Sequence, residues 1–342
     1  MDSLTQIALG AAVGEAVLGR KVGHKAAVWG AVLGTVPDLD VFIPLGDPVA
    51  DFTYHRSFSH SIIVLTLVSP AFAWLILKFH AQPRSAFGDW WLLSFLVLVT
   101  HPLLDVFTVY GTQLLWPLDD TPYFVSSVFI VDPAYTLPLL AGLGITFLLA
   151  RERERRPWLP NALGLLLSSA YLAWGLYAKF EVESFARAEL DRQGISHERL
   201  LTVPTPANTL LWRILVMGEE TYYEGFRSLL DRSEFLQLHH VAHDPSLLEG
   251  IEDHWPVERL RWFTDGFYSV TGRDSAIVIT DLRMGHEPNY VFAFRVALSD
   301  NPHPKPIPAD QLPMNFQLDE LGWVWRRIWD EDATRSATDA LP

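Results

Sequence analysis

The sequence predicts a membrane all-α helical bundle of about six helices, followed by a soluble α+β domain. Three observations point there: long apolar runs confined to the first half, a lopsided distribution of basic residues between loops, and a change of composition near residue 180. A chain of 342 residues has room for two or three domains. Apolar residues make up 49% and charged residues only 19%, against about 25% charged in ordinary soluble chains. Mean hydropathy is correspondingly high, at +0.16.

The first two apolar segments, 4–19 and 26–43, are interrupted by Glu15 and closed by Asp38 and Asp40. They read as membrane helices, shallower than those that follow. Gly10 with Gly14 and Gly30 with Gly34 give two small-x-x-x-small spacings suited to close helix packing. No basic region precedes the first apolar stretch and no cleavage site follows it, so it does not read as a removable signal peptide. Segments 61–77, 134–150 and 162–178 each run 17 residues without a charge, near the length that crosses a bilayer core at 1.5 Å per residue. Pro70 should kink the first of them, a feature membrane helices tolerate. The remaining segment, 90–109, carries His101 and Asp105 in its second half.

Six helices put alternate loops on opposite sides. One side collects Arg20, Lys21, Lys25, Lys78, Arg84, Arg151, Arg153, Arg155 and Arg156; the loops 44–60 and 111–132 contribute only Arg56. Positive charge marks the cytoplasmic side. The expected arrangement is therefore a multi-pass membrane protein with 44–60, 111–132 and the C-terminal domain outside the cytoplasm.

The expected division is a helical domain over 1–183 and an extracytoplasmic α+β domain over 184–342. Beyond residue 180 charges become frequent, and short β-rich runs appear at 209–216, 275–281 and 290–298. Residues 301–313 read as a proline-rich loop and 318–330 as a short amphipathic helix. His239, His240 and His243 lack a carboxylate at metalloprotease spacing and read as surface residues. Neither half shows a repeat.

Several chemistries drop out. With no cysteine there is no disulfide framework, thiolate site or cysteine nucleophile. A net charge of −14 argues against a nucleic-acid partner. Ser57, Ser59 and Ser61 sit in no nucleophile-elbow context, and phosphate-binding glycine motifs are missing.

What remains is a set of ionisable residues in helices where each carboxylate costs about 2.5–3.5 kcal/mol. Asp38 and Asp40 end one outgoing segment, His55 and His60 precede a returning one, and His101 and Asp105 share a face near the end of the next. Alternation brings all six to one side of the membrane. Imidazoles and carboxylates at one depth make a site for a divalent metal, zinc first, with manganese or iron served by the same donors. Carboxylates can also bridge two ions. Arg56, the lone basic residue of the outward loops, would either clamp a phosphate oxygen or pair one of the aspartates.

The order of Pro37-Asp38-Leu39-Asp40, His55-Arg56-Ser57-Phe58-Ser59-His60-Ser61, His101-Pro102-Leu103-Leu104-Asp105 and Leu114-Leu115-Trp116-Pro117 resembles the bacterial membrane-bound metal-dependent hydrolases, also described as LexA-regulated inner-membrane proteins. That family is distantly grouped with zinc phospholipases C and single-strand-specific zinc nucleases. The resemblance covers about residues 1–150. It implies a place in the bacterial inner (cytoplasmic) membrane, a metal site built from helices, hydrolysis, and phosphoesters as the substrate class; the expected partners are membrane lipid and a small-molecule or lipid phosphoester. Asp38, Asp40, His55, His60, His101 and Asp105 match its polar motifs, and Thr108, Gly111, Trp116 and Pro117 the pattern after them. Gln6 departs from it, since family members often carry histidine there. Two other readings fit the same residues: a metal-ion transporter or sensor, and a structural membrane protein binding a partner through its outer domain.

Overall fold

The computed structural model describes residues 1–79, 87–150, 157–300, 303–314 and 319–333. Arg84, Arg151, Arg153, Arg155 and Arg156 lie outside the described residues. The chain forms two compact units, Met1–Ile43 with Tyr54–Gly175, and Pro44–Thr53 with Leu176–Pro342.

Helix α1 (Ser3–Val22) is capped by Asp2, whose carboxylate accepts from the Thr5 amide at 3.1 Å. It turns at Gly23, φ 72°, into α2 (Lys25–Thr35). The glycines do what their spacing promised. A Cβ on Gly10 would lie 2.3 Å from the Gly30 carbonyl oxygen, and one on Gly30 2.1 Å from that of Gly10. The two backbones therefore touch. Pro37 has no N–H to continue the ladder, and the chain tightens into a 3-10 turn, Pro37–Phe42.

Helix α3 (Pro48–Tyr54) is short, and α4 (Ile62–Phe79), α5 (Phe87–Asp105), α6 (Pro133–Ala150) and α7 (Leu159–Gln193) follow. Among the described residues these last four are long and apolar enough to cross a membrane. The first two segments fall short of that measure. At 11 residues α2 reaches only about 16 Å, cut short by Pro37, and α1 carries Glu15, Arg20 and Lys21. Instead α1 packs its small face on α2 and inserts Leu9 and Ala12 into a core with Leu104, Tyr135 and Leu139.

The second unit is two antiparallel four-stranded sheets. The first holds β1 (Arg199–Pro204), β2 (Leu211–Met217), β3 (Thr221–Ser228) and β4 (Leu238–Ala242) in sequence order. Every residue of β2 is buried. On one face Trp212, Ile214 and Val216 meet Ala178, Val182, Ala186 and Leu190, a four-residue stripe on α7. From the other face Arg213 reaches the Leu282 carbonyl of the second sheet at 2.6 Å. Helix α8 (Trp255–Phe263) precedes that sheet, which orders β5 (Tyr268–Arg273), β6 (Ala276–His286), β7 (Asn289–Leu298) and β8 (Lys305–Gln311). Helix α9 (Asp319–Trp329) then packs Trp323 edge-on against Phe226.

Two expectations for this half need correction. The proline-rich stretch is not a loop: 305–311 is β8, with Pro306 opposite Ala297 and Lys305 opposite Leu298. A sheet edge admits prolines because the missing N–H faces away from the ladder. His239 and His240 are exposed, but His243 is buried.

Segment 44–53 belongs to this unit for a visible reason. Phe52, 5% exposed, packs against Phe263, Phe292 and Phe294 at 4.3–5.4 Å between ring centres. Thr53 Oγ1 accepts a 3.0 Å hydrogen bond from Arg259.

Candidate metal centre

Four side chains of the first unit converge: Asp38 from the 3-10 turn, His60 from the turn Phe58–His60 ahead of α4, and His101 and Asp105 one turn apart at the end of α5. His60, His101 and Asp105 are fully buried, while the Asp38 side chain is 20% exposed and marks the opening.

Hydrogen bonds behind the two imidazoles fix what faces inward. His101 Nδ1 lies 2.8 Å from the Gly34 carbonyl oxygen, which can only accept, so Nδ1 carries the proton. His60 Nδ1 lies 2.9 Å from Ser59 Oγ, and that hydroxyl donates to Asp40 at 2.5 Å, so Nδ1 of His60 also carries the proton. Each neutral ring then presents its Nε2 lone pair to the centre. The two Nε2 atoms are 3.2 Å apart. His60 Nε2 is 3.3 Å from Asp38 Oδ1 and 3.2 Å from Asp105 Oδ2. His101 Nε2 is 3.4 Å from each of the same oxygens.

These separations are five of the six edges among four donor atoms, and the four side chains bring their ligand atoms within 4.8 Å of one another. A regular tetrahedron with edges of 3.2–3.4 Å has its centre about 2.0–2.1 Å from each corner, which is the Zn–N and Zn–O distance. Asp105 Oδ2, fully buried, has no hydrogen-bond donor. Four acceptors aimed at one point repel one another unless a cation lies between them. This donor set fits a divalent metal.

Asp40 and His55 are not among the four. Asp40 Oδ1 bonds His55 Nδ1 at 2.9 Å, and Oδ2 accepts from Ser59 and, at 3.0 Å, from the Arg56 amide. Its carboxylate is spent behind His60, where it orients the ring. Burial works against charge on Asp40, and its contact with His55 more than offsets this and holds the carboxyl below the usual range.

Arg56 turns inward. It adopts φ 63°, uncommon for a residue with a side chain, and is buried. Its guanidinium stands 3.5 Å from Asp105 Oδ1 and 3.3 Å from Thr108 Oγ1, and 5.1 Å from the centre of the Tyr110 ring. Of its two expected roles the aspartate pair is formed, and Nε keeps no hydrogen-bond partner. The same Asp105 oxygen receives the Met1 amine and, at 3.0 Å, the amide NH2 of Gln6. Gln6 also bonds the His101 carbonyl at 3.2 Å, while its own Oε1 is buried without a partner.

Sequence reasoning did not see Gly34 or Ser59 as part of this site. The Gly34 carbonyl reaches His101 because Gly34 packs on α1, where a Cβ would come 2.6 Å from the Gln6 carbonyl oxygen. The glycine spacing was the available signal. Ser59 gave none beyond its place between two histidines.

The model of the YdjM inner membrane protein family matches residues 1–182. This chain belongs to that family. The matched stretch contains all four converging residues and their supports. The uncharacterized protein YfhP of Bacillus subtilis (strain 168) is 29% identical over 157 residues, which is 43% of this chain and 46% of that relative. The match thus spans about half the length of the relative. No solved structure matches.

Proposed function

We propose that this chain is a membrane-bound hydrolase of phosphoesters that depends on one divalent metal ion, zinc by its donor set, held by Asp38, His60, His101 and Asp105. The observation carrying this reading is the convergence of two Nε2 atoms and two carboxylate oxygens, each nitrogen 3.2–3.4 Å from the other nitrogen and from both oxygens. A divalent ion there supplies Lewis acidity toward a phosphoryl oxygen and toward water. In the reaction a water oxygen bonds to phosphorus as the P–O bond to the leaving alcohol breaks, and a water proton ends on the leaving oxygen. Asp40 and Ser59 hold His60 in its tautomer, and the Gly34 carbonyl does the same for His101. Asp38, at the opening, is the ligand a substrate meets first. Arg56 balances Asp105 and has Nε to offer an anionic oxygen. The basic loops face the cytoplasm in this reading, and the centre and second unit face outward.

A second reading has its own support. Four protein ligands around one zinc are the closed pattern of structural sites, whereas catalytic sites keep a position open. The ion would then lock α5 to the segments around 38 and 60. Elemental analysis of the detergent-purified chain beside His60→Ala tests both. About one equivalent, lost in the variant, is expected. Turnover on phosphoester panels by the loaded chain then separates them: a loaded, folded protein that hydrolyses nothing is structural. No metal after reloading of folded protein removes both readings and the transporter with them.

A further inference from the structure

The centre has an apolar rim. Leu39, Val41 and Phe42 belong to the turn that carries Asp38, and are 51%, 65% and 78% exposed. Phe58, 46% exposed, lies between Arg56 and His60 and touches the Trp116 ring at 6.3 Å between centres. Leu115 and Leu118 follow on the same loop, 42% and 83% exposed. Hydrogen bonds tie these segments into one surface: Gln113 N–H to Arg56 O, Ile62 N–H to Leu114 O, and Ser61 Oγ to Trp116 O. Asp40 joins the 3-10 turn to it through the Arg56 amide and Ser59.

A site for water-borne anions would be expected to carry polar or basic groups at its entrance. Here Arg56 is the only basic residue in 44–60 and 111–132, and it is buried. The depth of the rim gives it a natural occupant. Helix α4 starts two residues after His60, and α5 ends at Asp105. Both are of membrane-crossing length, so the rim lies where the spanning helices leave the bilayer core. Exposed phenylalanine and leucine at that depth face acyl chains at no hydration cost.

We infer that the substrate is a membrane phospholipid, its phosphoester presented to Asp38 and the buried donors while its acyl chains lie along Leu39, Val41, Phe42, Phe58 and Leu118. This rests on the hydrolase reading and narrows it from phosphoesters in general to lipids drawn from the surrounding leaflet.

The test uses full-length, zinc-loaded protein in mixed micelles. Each substrate is a dioleoyl phospholipid (phosphatidylglycerol, phosphatidylethanolamine or phosphatidate) paired with its deacylated, water-soluble counterpart. The readout is the ratio of kcat/KM for the lipid to kcat/KM for its counterpart. A lipid preference of at least about a hundredfold is expected, since two chains supply far more apolar contact than the 1.4 kcal/mol that a factor of ten requires. In Phe42→Ser/Leu118→Ser the ratio should fall about tenfold. Both positions are exposed, so neither change opens the core. A ratio near one, or one the double variant leaves unmoved, overturns the lipid assignment and leaves the hydrolase reading standing. No turnover of either member of any pair, with zinc bound, overturns the hydrolase reading and this inference together.

Discussion

Each unit of this protein buries charged side chains, and they are arranged in opposite ways. In the second unit the buried carboxylates Glu224 and Asp281 each meet a guanidinium. Arg213 and Glu224, both 4% exposed, bond at 2.7 Å, and Arg283 grips both oxygens of Asp281 at 2.7–3.2 Å. Tyr222 adds a 2.7 Å bond to Glu287. In the first unit two carboxylate oxygens and two imidazole nitrogens face each other instead, with Arg56 and Gln6 approaching only the far oxygen of Asp105. A network that serves folding closes its own charge balance. The first unit leaves its balance open toward one point, which is what a binding site requires.

The sharpest way to break this comparison is to remove one partner on each side. Glu224→Ala strands a buried guanidinium and should cost about 3–5 kcal/mol in denaturant unfolding, whereas Arg213→Met with Glu224→Leu should be neutral or stabilising by about 1–4 kcal/mol. At the candidate metal centre the signs should reverse. Asp38→Asn removes one of the facing charges and leaves the Arg56–Asp105 pair intact, so the metal-free variant should melt no lower than the metal-free wild type. Zinc at a hundredfold excess over Kd should raise wild-type stability by about 2.7 kcal/mol and the variant's by far less, read as the shift in Tm.

Support around the ligands should matter less. Ser59→Ala leaves His60 Nδ1 without its partner and should weaken zinc binding about 10–100-fold in a competition titration, with His60 still in place. Gly30→Ala drives a methyl into the Gly10 carbonyl, and overpacking of that kind costs about 1–3 kcal/mol. It also moves the helix that bears the Gly34 carbonyl, so zinc affinity should drop along with stability. Gly88→Ala, in open space in the first turn of α5, should leave zinc affinity unchanged and raise stability by no more than about 1 kcal/mol.

The smallest effect should lie in the second unit. Burial pushes the His243 imidazole below its ordinary value. The unfolded chain therefore takes up its proton first, and stability is complete above about pH 6.5 and declines as pH falls below that. His243→Gln should flatten the decline between pH 7 and 5, measured by urea midpoints.

Much of this was legible before any coordinates. Apolar runs gave the helices, because burial in lipid leaves a plain mark on composition. His60, His101 and Asp105 betrayed themselves as ionisable residues where none belongs. The division of labour between Asp38 and Asp40 was not legible. Residues of a 3-10 turn are about 120° apart around its axis, so two positions on, the second aspartate points elsewhere. Only the turn type decides which reaches the centre. Nor could spacing tell that His55 would bond Asp40 rather than face inward, since the left-handed Arg56 redirects the chain between the two histidines. Strand β8 was hidden by its prolines, which are admissible only at an edge that pairing alone defines. The Phe52 anchor depends on contacts with rings more than 200 residues away, which no local pattern records.

That anchor sets a timetable for synthesis. Asp38 and Asp40 precede segment 44–53, and His55, Arg56 and His60 follow it. Two of the rings that hold Phe52, Phe292 and Phe294, emerge about 240 residues after it. At about 5–20 residues per second the ribosome needs roughly 10–50 s to make them. Until then the strand of chain between the ligand-bearing segments lacks its native packing. A chain truncated after α7 would stay in that unfinished state, with segment 44–53 left without the rings that bury Phe52.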